Sequence, residues 1–522
     1  MSRLRLRRDV SFVFFLGSLL GASLAGASPG DPPPKAAAAP RGPLSRSAST
    51  RPALERAVAI PTVKRAAGKA SPLTLAEVLR SVRALHPKLA QARLKVLEAG
   101  GALQAARGGF DPVLTGKGQW KRYDYNTREV VIGMRQPTAL WGLSVFGEWS
   151  LSGGKFPSYD GDRVTSRGGI ARLGVALPLL NGGPIDKRRA KIARVEAKQR
   201  GARFAVLGTR LELSRKAARA FWRWVAAGHR LRVDQALLEL ALVRDKQVAE
   251  GVRRGALPAI DRLDNQRAIL SRRGGVIKAR RRFEKATFKL SLFLRDSRGK
   301  TRRVGLESLP AGFPPTAAPS AKVKALLSKA LERRPEFGAL RARRSQIDVD
   351  RRLAKNQRLP KLTLSASGGV DIGAEPYLDE RTELKLGLSL RMPLLLRNAR
   401  GRLTQAQAAS KRLSEVRRQL RDRVEAQVRD AVSALQAAHQ QVTIAEQELR
   451  LARRLEQAER DRLRLGSSTL LVVNLRERSA AKAARKLVDL RARYHQARAD
   501  VFAVTGTLSG ASGPRGARSP RM

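Results

Sequence analysis

Two segments in the second half of the chain alternate apolar and polar residues over about ten positions. Segment 361–370 reads KLTLSASGGV and segment 383–392 reads ELKLGLSLRM, with apolar residues, mostly leucine, at nearly every second position. Such alternation predicts strands with one apolar and one polar face. The pattern fits an amphipathic hairpin of a soluble sheet equally well as a pair of tilted strands crossing a bilayer, so the strands alone leave both possibilities open.

Two much longer segments show a helical pattern. From about Lys187 to Gly251 and from Arg402 to Leu465 the chain is free of proline and rich in Ala, Leu, Arg and Glu. Small and apolar residues recur at every third or fourth position, which predicts helices with seams of the coiled-coil type. At 1.5 Å per residue each helix would be roughly 95 Å long, which no compact globular domain accommodates.

These elements occur twice in the same order. Segment 73–115 resembles segment 323–364, and in each a second proline follows the first at the same spacing. Each copy continues through a strand region that ends in a proline, a long helix that ends near a glycine, and a further helix. The landmarks are Pro87, Pro112, Pro178 and Gly255 in the first copy, and Pro335, Pro360, Pro393 and Gly466 in the second. We therefore predict an α+β, mostly α fold with a duplicated helix–strand–strand–long helix–helix unit.

The strand region of the first copy is the longer one. Its prolines, Pro112 and Pro178, stand twice as far apart in the chain as Pro360 and Pro393 of the second copy. The extra residues predict either longer external loops or an added hairpin. Nine of the 24 aromatic residues lie between positions 110 and 160, an enrichment that suits the interfacial girdles of outer-membrane barrels.

The chain divides into six predicted segments. Its N-terminus has four arginines, a short apolar stretch and an Ala-Gly-Ala site, the pattern of a secretory signal peptide. The segments are the signal peptide at 1–27, a disordered Pro- and Ala-rich linker at 28–71, a first repeat at 72–307 with strands at about 112–178 and a tip near 255, an inter-repeat linker at 308–320, a second repeat at 321–508 with strands at about 360–393 and a tip near 466, and a disordered tail at 509–522.

Composition narrows the functional class. The chain has 104 Lys+Arg against 44 Asp+Glu, a formal net charge of +60, which would normally indicate a nucleic-acid partner. A signal peptide argues against that partner, because the secreted chain leaves the cytoplasm. The chain has no cysteine, which excludes disulfides and thiolate metal sites. Its four histidines, His86, His229, His439 and His495, have no metal-ligand spacing, so we predict no enzyme, no metal and no cofactor.

In the order of these features, the chain resembles the TolC-like outer-membrane efflux proteins. The residues that carry the resemblance lie in both repeats and cover about 73–508. They are the prolines within the first helices, Pro87 and Pro335, and those that open the strand regions, Pro112 and Pro360. To these are added the segments that follow the last strand of each copy, "LPLLNGG" and "MPLLLRNARG", and the tip segments 251–266 and 462–483. No segment of 18 apolar residues follows the signal peptide, so a membrane role would use strands.

The resemblance implies the assembly and its partners. Such proteins are homotrimers in which each subunit contributes four strands to a twelve-stranded transmembrane β-barrel, continuous with a long periplasmic α-helical barrel. The expected location is the outer membrane, in contact with its lipid. The expected partners are a periplasmic adaptor protein and an inner-membrane RND or ABC transporter, with no nucleic acid. The expected function is a passive exit duct for drugs, metals or proteins in tripartite efflux or type I secretion.

The resemblance also suggests functional residues. Residues of the two tips are expected to contact the adaptor: Arg253, Gly255, Ala256, Leu257, Leu465, Gly466, Ser467 and Ser468. Asp261 and Asp264 are gate candidates, although the second repeat has Val472 and Leu475 at the corresponding offsets, and solvated helix residues are the plainer interpretation. Elbows between the two barrels are expected at Pro178, Gly182, Gly183, Pro393 and Gly401.

Two alternatives remain at this point. One is a structural periplasmic coiled coil with a soluble β-hairpin cap. The other is a basic coiled coil that binds nucleic acid, which the signal peptide disfavours. The excess of arginine further predicts a weak anion preference of the lumen if the duct is real.

Overall fold

The computed structural model describes residues 71–122, 126–156, 164–319, 322–373 and 382–507. The predicted signal peptide, the predicted tail and all of the predicted first linker except residue 71 lie outside these residues. The described elements are helices α1 (Leu75–Leu85) and α2 (Pro87–Arg107), strands β1 (Val113–Lys121), β2 (Thr127–Pro137), β3 (Ser144–Gly154) and β4 (Ile170–Pro178), helices α3 (Lys187–Arg253), α4 (Ala259–Ser291), α5 (Val323–Arg333) and α6 (Pro335–Asn356), strands β5 (Lys361–Asp371) and β6 (Thr382–Arg391), and helices α7 (Arg397–Arg464) and α8 (Leu470–Val504).

Proline separates the first two helices of each half in the same way. Pro87 and Pro335 occupy the first position of α2 and α6, where the missing N–H is no loss and the fixed φ suits a helix. The residue before a proline is driven to extended backbone, and His86 and Arg334 have ψ values of 124° and 127°. The preceding helices α1 and α5 therefore end at these positions.

The sheet corrects one expectation. Among the described residues, six strands, not four, form one antiparallel sheet in the order β1-β2-β3-β4-β5-β6. The first half contributes two hairpins and the second half one, so the additional length of the first strand region contains an added hairpin. The expected count of four came from the resemblance, and the spacing of prolines alone does not reveal how many strands lie between them.

The register of the strands gives the sheet one apolar and one polar face. Leu114 of β1 lies opposite Met134 of β2, and Val175 of β4 lies opposite Ala366 of β5. Ala366 in turn lies opposite Leu386 of β6. Three polar residues, Arg128, Gln136 and Thr382, lie on the apolar face near strand ends. Its other residues are Leu114, Gly116, Gly118, Trp120, Val130, Ile132, Met134, Val145, Gly147, Trp149, Leu151, Gly153, Ala171, Leu173, Val175, Leu177, Leu362, Leu364, Ala366, Gly368, Val370, Leu384, Leu386, Leu388 and Leu390. Its side chains are largely uncovered, since Leu386 is 74% exposed and Leu173 is 68% exposed.

The helices form a layer four helices wide. Next to the sheet the neighbours are α2, α3, α6 and α7, in that order. At the other end they are α4, α3, α8 and α7. The two long helices α3 and α7 have 67 and 68 residues, about 100 Å each at 1.5 Å per residue, and therefore belong to both sets. Among the described residues, no helix is both long enough and apolar enough to span a membrane.

The main apolar core lies midway along α3. Trp224, Phe221 and Val225 pack there against α1, α4 and the segment after α4. The indole N–H of Trp224 donates to Thr287 Oγ1 at 3.1 Å, which satisfies the one polar atom of this buried ring. The predicted inter-repeat linker packs against the same core through Leu309 and Phe313, and its Ala317 carbonyl accepts a hydrogen bond from the Tyr494 hydroxyl at 2.7 Å.

A buried histidine completes this core. His495 is 3% exposed, stacks on Trp222 with ring centroids 4.4 Å apart, and places Nε2 3.2 Å from the Pro314 carbonyl. Burial lowers the pKa of His495 to about 4; the Pro314 carbonyl opposes this shift, and Arg498 and Arg491 reinforce it. The imidazole is therefore neutral in the folded protein at neutral pH.

We expect acid to destabilise the fold through His495. Between pH 6.5 and about 4 the unfolded chain binds a proton that the folded chain does not, so the free energy of unfolding falls as pH falls through this window. The contribution reaches at most about 3 kcal/mol. In thermal melts followed by circular dichroism, His495→Phe should flatten the fall of Tm over this window, whereas Tyr494→Phe should keep the wild-type slope. An unchanged slope in His495→Phe would contradict the assignment. His229 and His86, whose pKa values burial also lowers, contribute to the remaining slope.

Candidate functional site

The two helix turns at the ends of α3 and α7 have the same geometry. Gly255 and Gly466 have φ values of 71° and 75°, a left-handed backbone that suits glycine at the end of a helix. Their N–H groups donate to the carbonyls of Val252 and Leu463, each at 3.1 Å. No atom stands within 4 Å of where a Cβ would lie on either glycine, so the backbone conformation alone calls for glycine.

The eight residues predicted for adaptor contact all lie in or next to these two turns. Leu465 is 82% exposed, and the Arg253 side chain is 73% exposed. Leu257 instead folds back over Gly251, whose carbonyl accepts from the Leu257 N–H at 3.2 Å. Ser468 Oγ donates to Glu459 Oε1 at 2.6 Å. The turns thus offer a small surface with one exposed leucine and basic side chains.

Behind the turns lies a buried ionic cluster that the sequence analysis missed. Glu477 on α8 is 1% exposed and accepts hydrogen bonds from three arginines. Arg244 of α3 makes two bonds to its carboxylate, one of them 3.0 Å long. Arg272 of α4 donates to Oε2 at 2.9 Å, and Arg460 of α7 donates to Oε1 at 3.2 Å. One carboxylate therefore joins all four helices of this end.

Two further groups complete the cluster. Asn474 Oδ1 accepts from Arg244 at 2.9 Å and from Arg272 at 3.1 Å. Arg272 also donates to the Leu237 carbonyl at 3.1 Å. Burial opposes ionisation of Glu477, but the hydrogen bonds and charge of Arg244, followed by those of Arg272, outweigh it and lower the pKa of this carboxyl. It therefore remains a carboxylate.

The cluster fixes the relative position of the two turns. Arg244 lies 11 residues before Gly255, and Glu477 lies 11 residues after Gly466. Both turns therefore lie on the same side of the cluster, each about 16 Å of helix away from it. The sequence signal for the cluster is weak: a single Glu between two arginines in "LLVVNLRERSAAK", with nothing in the pattern to identify its distant partners.

The gate candidates Asp261 and Asp264 lie between the turn and the cluster. Both are half-buried on the first two turns of α4. Asp261 lies in the first turn, where a negative charge is favoured by the helix dipole. Neither carboxylate joins the Glu477 cluster or an ion pair in the part of the chain that the structure describes. Their role as a gate stays a prediction.

The elbow after β4 is built around a glycine pair. Gly182 has a φ of 119°, and the guanidinium of Arg189 donates to the carbonyls of Gly182 and Gly183, each at 2.6 Å. A Cβ on Gly183 would lie 2.6 Å from the Trp141 ring, so the close approach of that ring requires glycine. This contact joins the β2–β3 turn to the start of α3.

The second elbow is built differently from the expectation. Leu396, directly before α7, has the left-handed backbone with a φ of 51°. Gly401, predicted as an elbow, is already inside α7. Pro393 lies between β6 and this turn, as expected from its position. The correction arises because α7 begins at Arg397, ahead of Arg402, where the helical pattern placed its start.

Comparison with known proteins agrees with this architecture. Residues 326–507 match the family model described as outer membrane efflux protein. No curated protein matches the chain. The second half of the chain is therefore similar to this family's domain, which confirms the resemblance noted from the sequence.

Solved structures extend the likeness to nearly the whole described chain. The outer-membrane protein VceC from Vibrio cholerae is 16% identical with a TM-score of 0.58, over 83% of this chain and 96% of that one. The MtrE outer-membrane channel of Neisseria gonorrhoeae, in its open state, is 15% identical with a TM-score of 0.59, over 86% and 95%. The CmeC outer-membrane channel of Campylobacter jejuni is 14% identical with a TM-score of 0.57, over 86% and 91%. At these identities the likeness establishes the fold, a mostly helical chain with a sheet.

We expect Glu477 to be essential to the stability of the helix ends. Glu477→Gln leaves the buried Arg244 and Arg272 without their counter-charge, and loss of one partner of a buried ion pair costs about 3–5 kcal/mol. The matched control is Glu415→Gln on α7, whose pair with Arg418 is exposed and contributes less than about 1 kcal/mol. Limited proteolysis near the turns should be accelerated more than tenfold in Glu477→Gln and unchanged in the control. Equal protection of both variants would contradict the assignment.

Proposed function

We propose that this chain is the outer-membrane channel of a tripartite efflux or type I secretion system, a passive exit duct from the periplasm to the outside. The observation that carries the proposal is the sheet with one uncovered apolar face and one polar face. An exposed apolar surface of this extent needs a covering. Lipid outside and water inside would satisfy both faces, and the family match over 326–507 supports the same interpretation.

The edges of the helix layer support a homotrimer. On α4, Leu263, Leu270 and Ile277 recur every seven residues and are between 61% and 70% exposed. On α7, Ile444 and Leu451 have the same spacing and similar exposure. Exposed leucines at heptad spacing form coiled-coil seams with a neighbouring helix. A second copy of the chain would supply it, with α7 of one copy against α4 of the next.

The partners follow from the location of the two turns. A duct carries no energy source of its own, so we propose that the turns around Gly255 and Gly466 meet a periplasmic adaptor and, through it, an inner-membrane RND or ABC transporter. The exposed Leu465 and Arg253 are the best placed for this contact. Asp261 and Asp264 would lie just inside the opening, where three copies turn each acid into a ring.

The membrane position is tested by placing a charge on each face of β6. Leu386→Arg would put a charge in lipid at a cost of about 2–4 kcal/mol, whereas Ser389→Arg would put it on the polar face. We expect Leu386→Arg to abolish trimers in purified outer membranes and to impair the same export as deletion of the chain, while Ser389→Arg behaves like wild type. Recovery of the wild-type protein from the soluble periplasm without detergent would refute the duct and favour the periplasmic coiled coil.

The lumen should favour anions. On the polar face, basic side chains outnumber acidic ones by seven to four. The basic residues are Lys117, Lys121, Arg135, Arg172, Lys361, Lys385 and Arg391, and the acidic ones are Glu129, Glu148, Asp371 and Glu383. In a planar bilayer with a KCl gradient, the reversal potential should shift towards that of chloride, and the double variant Lys385→Gln/Arg391→Gln should reduce the shift. A reversal potential of clear cation selectivity would contradict this prediction.

A further inference from the structure

Two strand edges are left unpaired in the described part of the chain. β1 pairs only with β2, and β6 pairs only with β5. In lipid, each unpaired backbone N–H or C=O costs several kcal/mol, and open sheet edges do not occur there. If the sheet lies in the membrane, as proposed above, both edges need a partner strand.

The hairpin β1–β2 belongs to the same wall as the other strands. Leu114, Gly116 and Gly118 of β1 lie opposite Met134, Ile132 and Val130 of β2. These apolar residues continue the apolar face of β3 through the register of Ile132 with Trp149. The charged Arg128 on this face lies at the loop end of β2, where a long side chain can reach water. A hairpin that merely covered the lumen would not match the face of its neighbours.

The edges of the sheet coincide with the edges of the helix layer. Helix α2, which leads into β1, is an outer helix of its layer, and so is α7, which follows β6. One lateral edge of the subunit is therefore formed by α2 and β1, and the opposite edge is formed by α7 and β6. A neighbouring copy that meets the helix edge also meets the strand edge.

The widths of the two layers agree with six strands in the wall. Strands about 4.8 Å apart, tilted by roughly 40°, occupy about 38 Å of a barrel's circumference when there are six of them. Four helices packed at about 8–10 Å occupy about 32–40 Å. Four strands would occupy only about 25 Å. With six strands, each copy covers a similar arc in both layers.

We propose that β1 of one copy pairs antiparallel with β6 of the next, so that three copies close a barrel of 18 strands instead of twelve. With an even number of alternating strands, β6 and the next β1 run in opposite directions, which keeps the whole barrel antiparallel. Since barrel diameter grows about linearly with strand number, this barrel is about 1.5 times as wide as one of twelve strands. The membrane segment then holds a water-filled channel of porin-like size and is no constriction for bulky cargo.

Because the chain lacks cysteine, the seam can be tested with introduced cysteine pairs. We would combine Leu114→Cys, Gly116→Cys or Gly118→Cys on β1 with Leu384→Cys, Leu386→Cys or Leu388→Cys on β6, and oxidise purified outer membranes. Gly116 and Gly118 have no atom within 4 Å of an added Cβ, so the substitutions fit. At least one pairing should give a covalent trimer on non-reducing denaturing gels that is lost on reduction. The same β6 cysteines paired with Gly147→Cys on β3 should give none.

A labelling experiment addresses the wall independently of disulfide geometry. In intact outer membranes, a water-soluble maleimide should react at Lys117→Cys and Gln119→Cys at least tenfold faster than at Gly116→Cys and Gly118→Cys. Equal labelling of all four would place β1 outside the wall and overturn the 18-stranded barrel.

The outcomes separate this inference from the proposed function on which it rests. Trimers in the outer membrane whose cross-links join β3 and β6 would overturn only the strand count, leaving a twelve-stranded duct. Absence of any trimer from the outer membrane would refute the duct itself.

Discussion

The rest of the structure depends on the pairing of backbone hydrogen-bonding groups in the sheet. A strand in lipid has no water to satisfy its N–H and C=O groups, so every strand needs two neighbours. In the part of the chain that the structure describes, six strands pair with one another everywhere except at the two outer edges, β1 and β6. With the sheet in the membrane, as proposed, this one constraint would require other copies of the chain, and it would require the alternation of residues such as Leu386 and Lys385 to hold across every strand. It also orients the helices, because each edge strand is continuous with an edge helix.

The helix layer solves a different problem, that of holding very long helices in register. Near the middle, Trp224 and the stacked pair of Trp222 and His495 supply apolar packing. Near the turns the helices are too basic and too exposed for a core of that kind. The Glu477 carboxylate takes over there and binds arginines from the three other helices. Any movement of the α7–α8 pair against the α3–α4 pair must break its contacts with Arg244 and Arg272. The excess of arginine therefore has a structural use at this point, apart from any effect on the lumen.

Much of the architecture could be predicted from local patterns. The long helices begin and end close to the predicted positions, with α3 at Lys187–Arg253 against an expected 187–251. Gly255 and Gly466 were identified as turn residues, because only glycine tolerates the left-handed backbone at no cost. Local signals failed in two places. Proline spacing did not count the strands of the first half, and Gly401 was mistaken for an elbow because glycine also occurs inside helices, where it costs only about 1 kcal/mol.

The sequence by itself predicted the duplication, and it determined the two faces of β5 and β6, the length of the long helices and their turns, since each depends on residues near one another in the chain. Only the tertiary structure decided which strands are neighbours and where the sheet ends. It also decided that Glu477 meets Arg244, 233 residues away. These are contacts between distant segments, and an isolated Glu or an alternating strand does not specify its partner. The physical reason is that the period of apolar residues shows which face of a helix or strand is apolar. Which strands or side chains pair depends instead on how the complete sheet and helix layer are arranged.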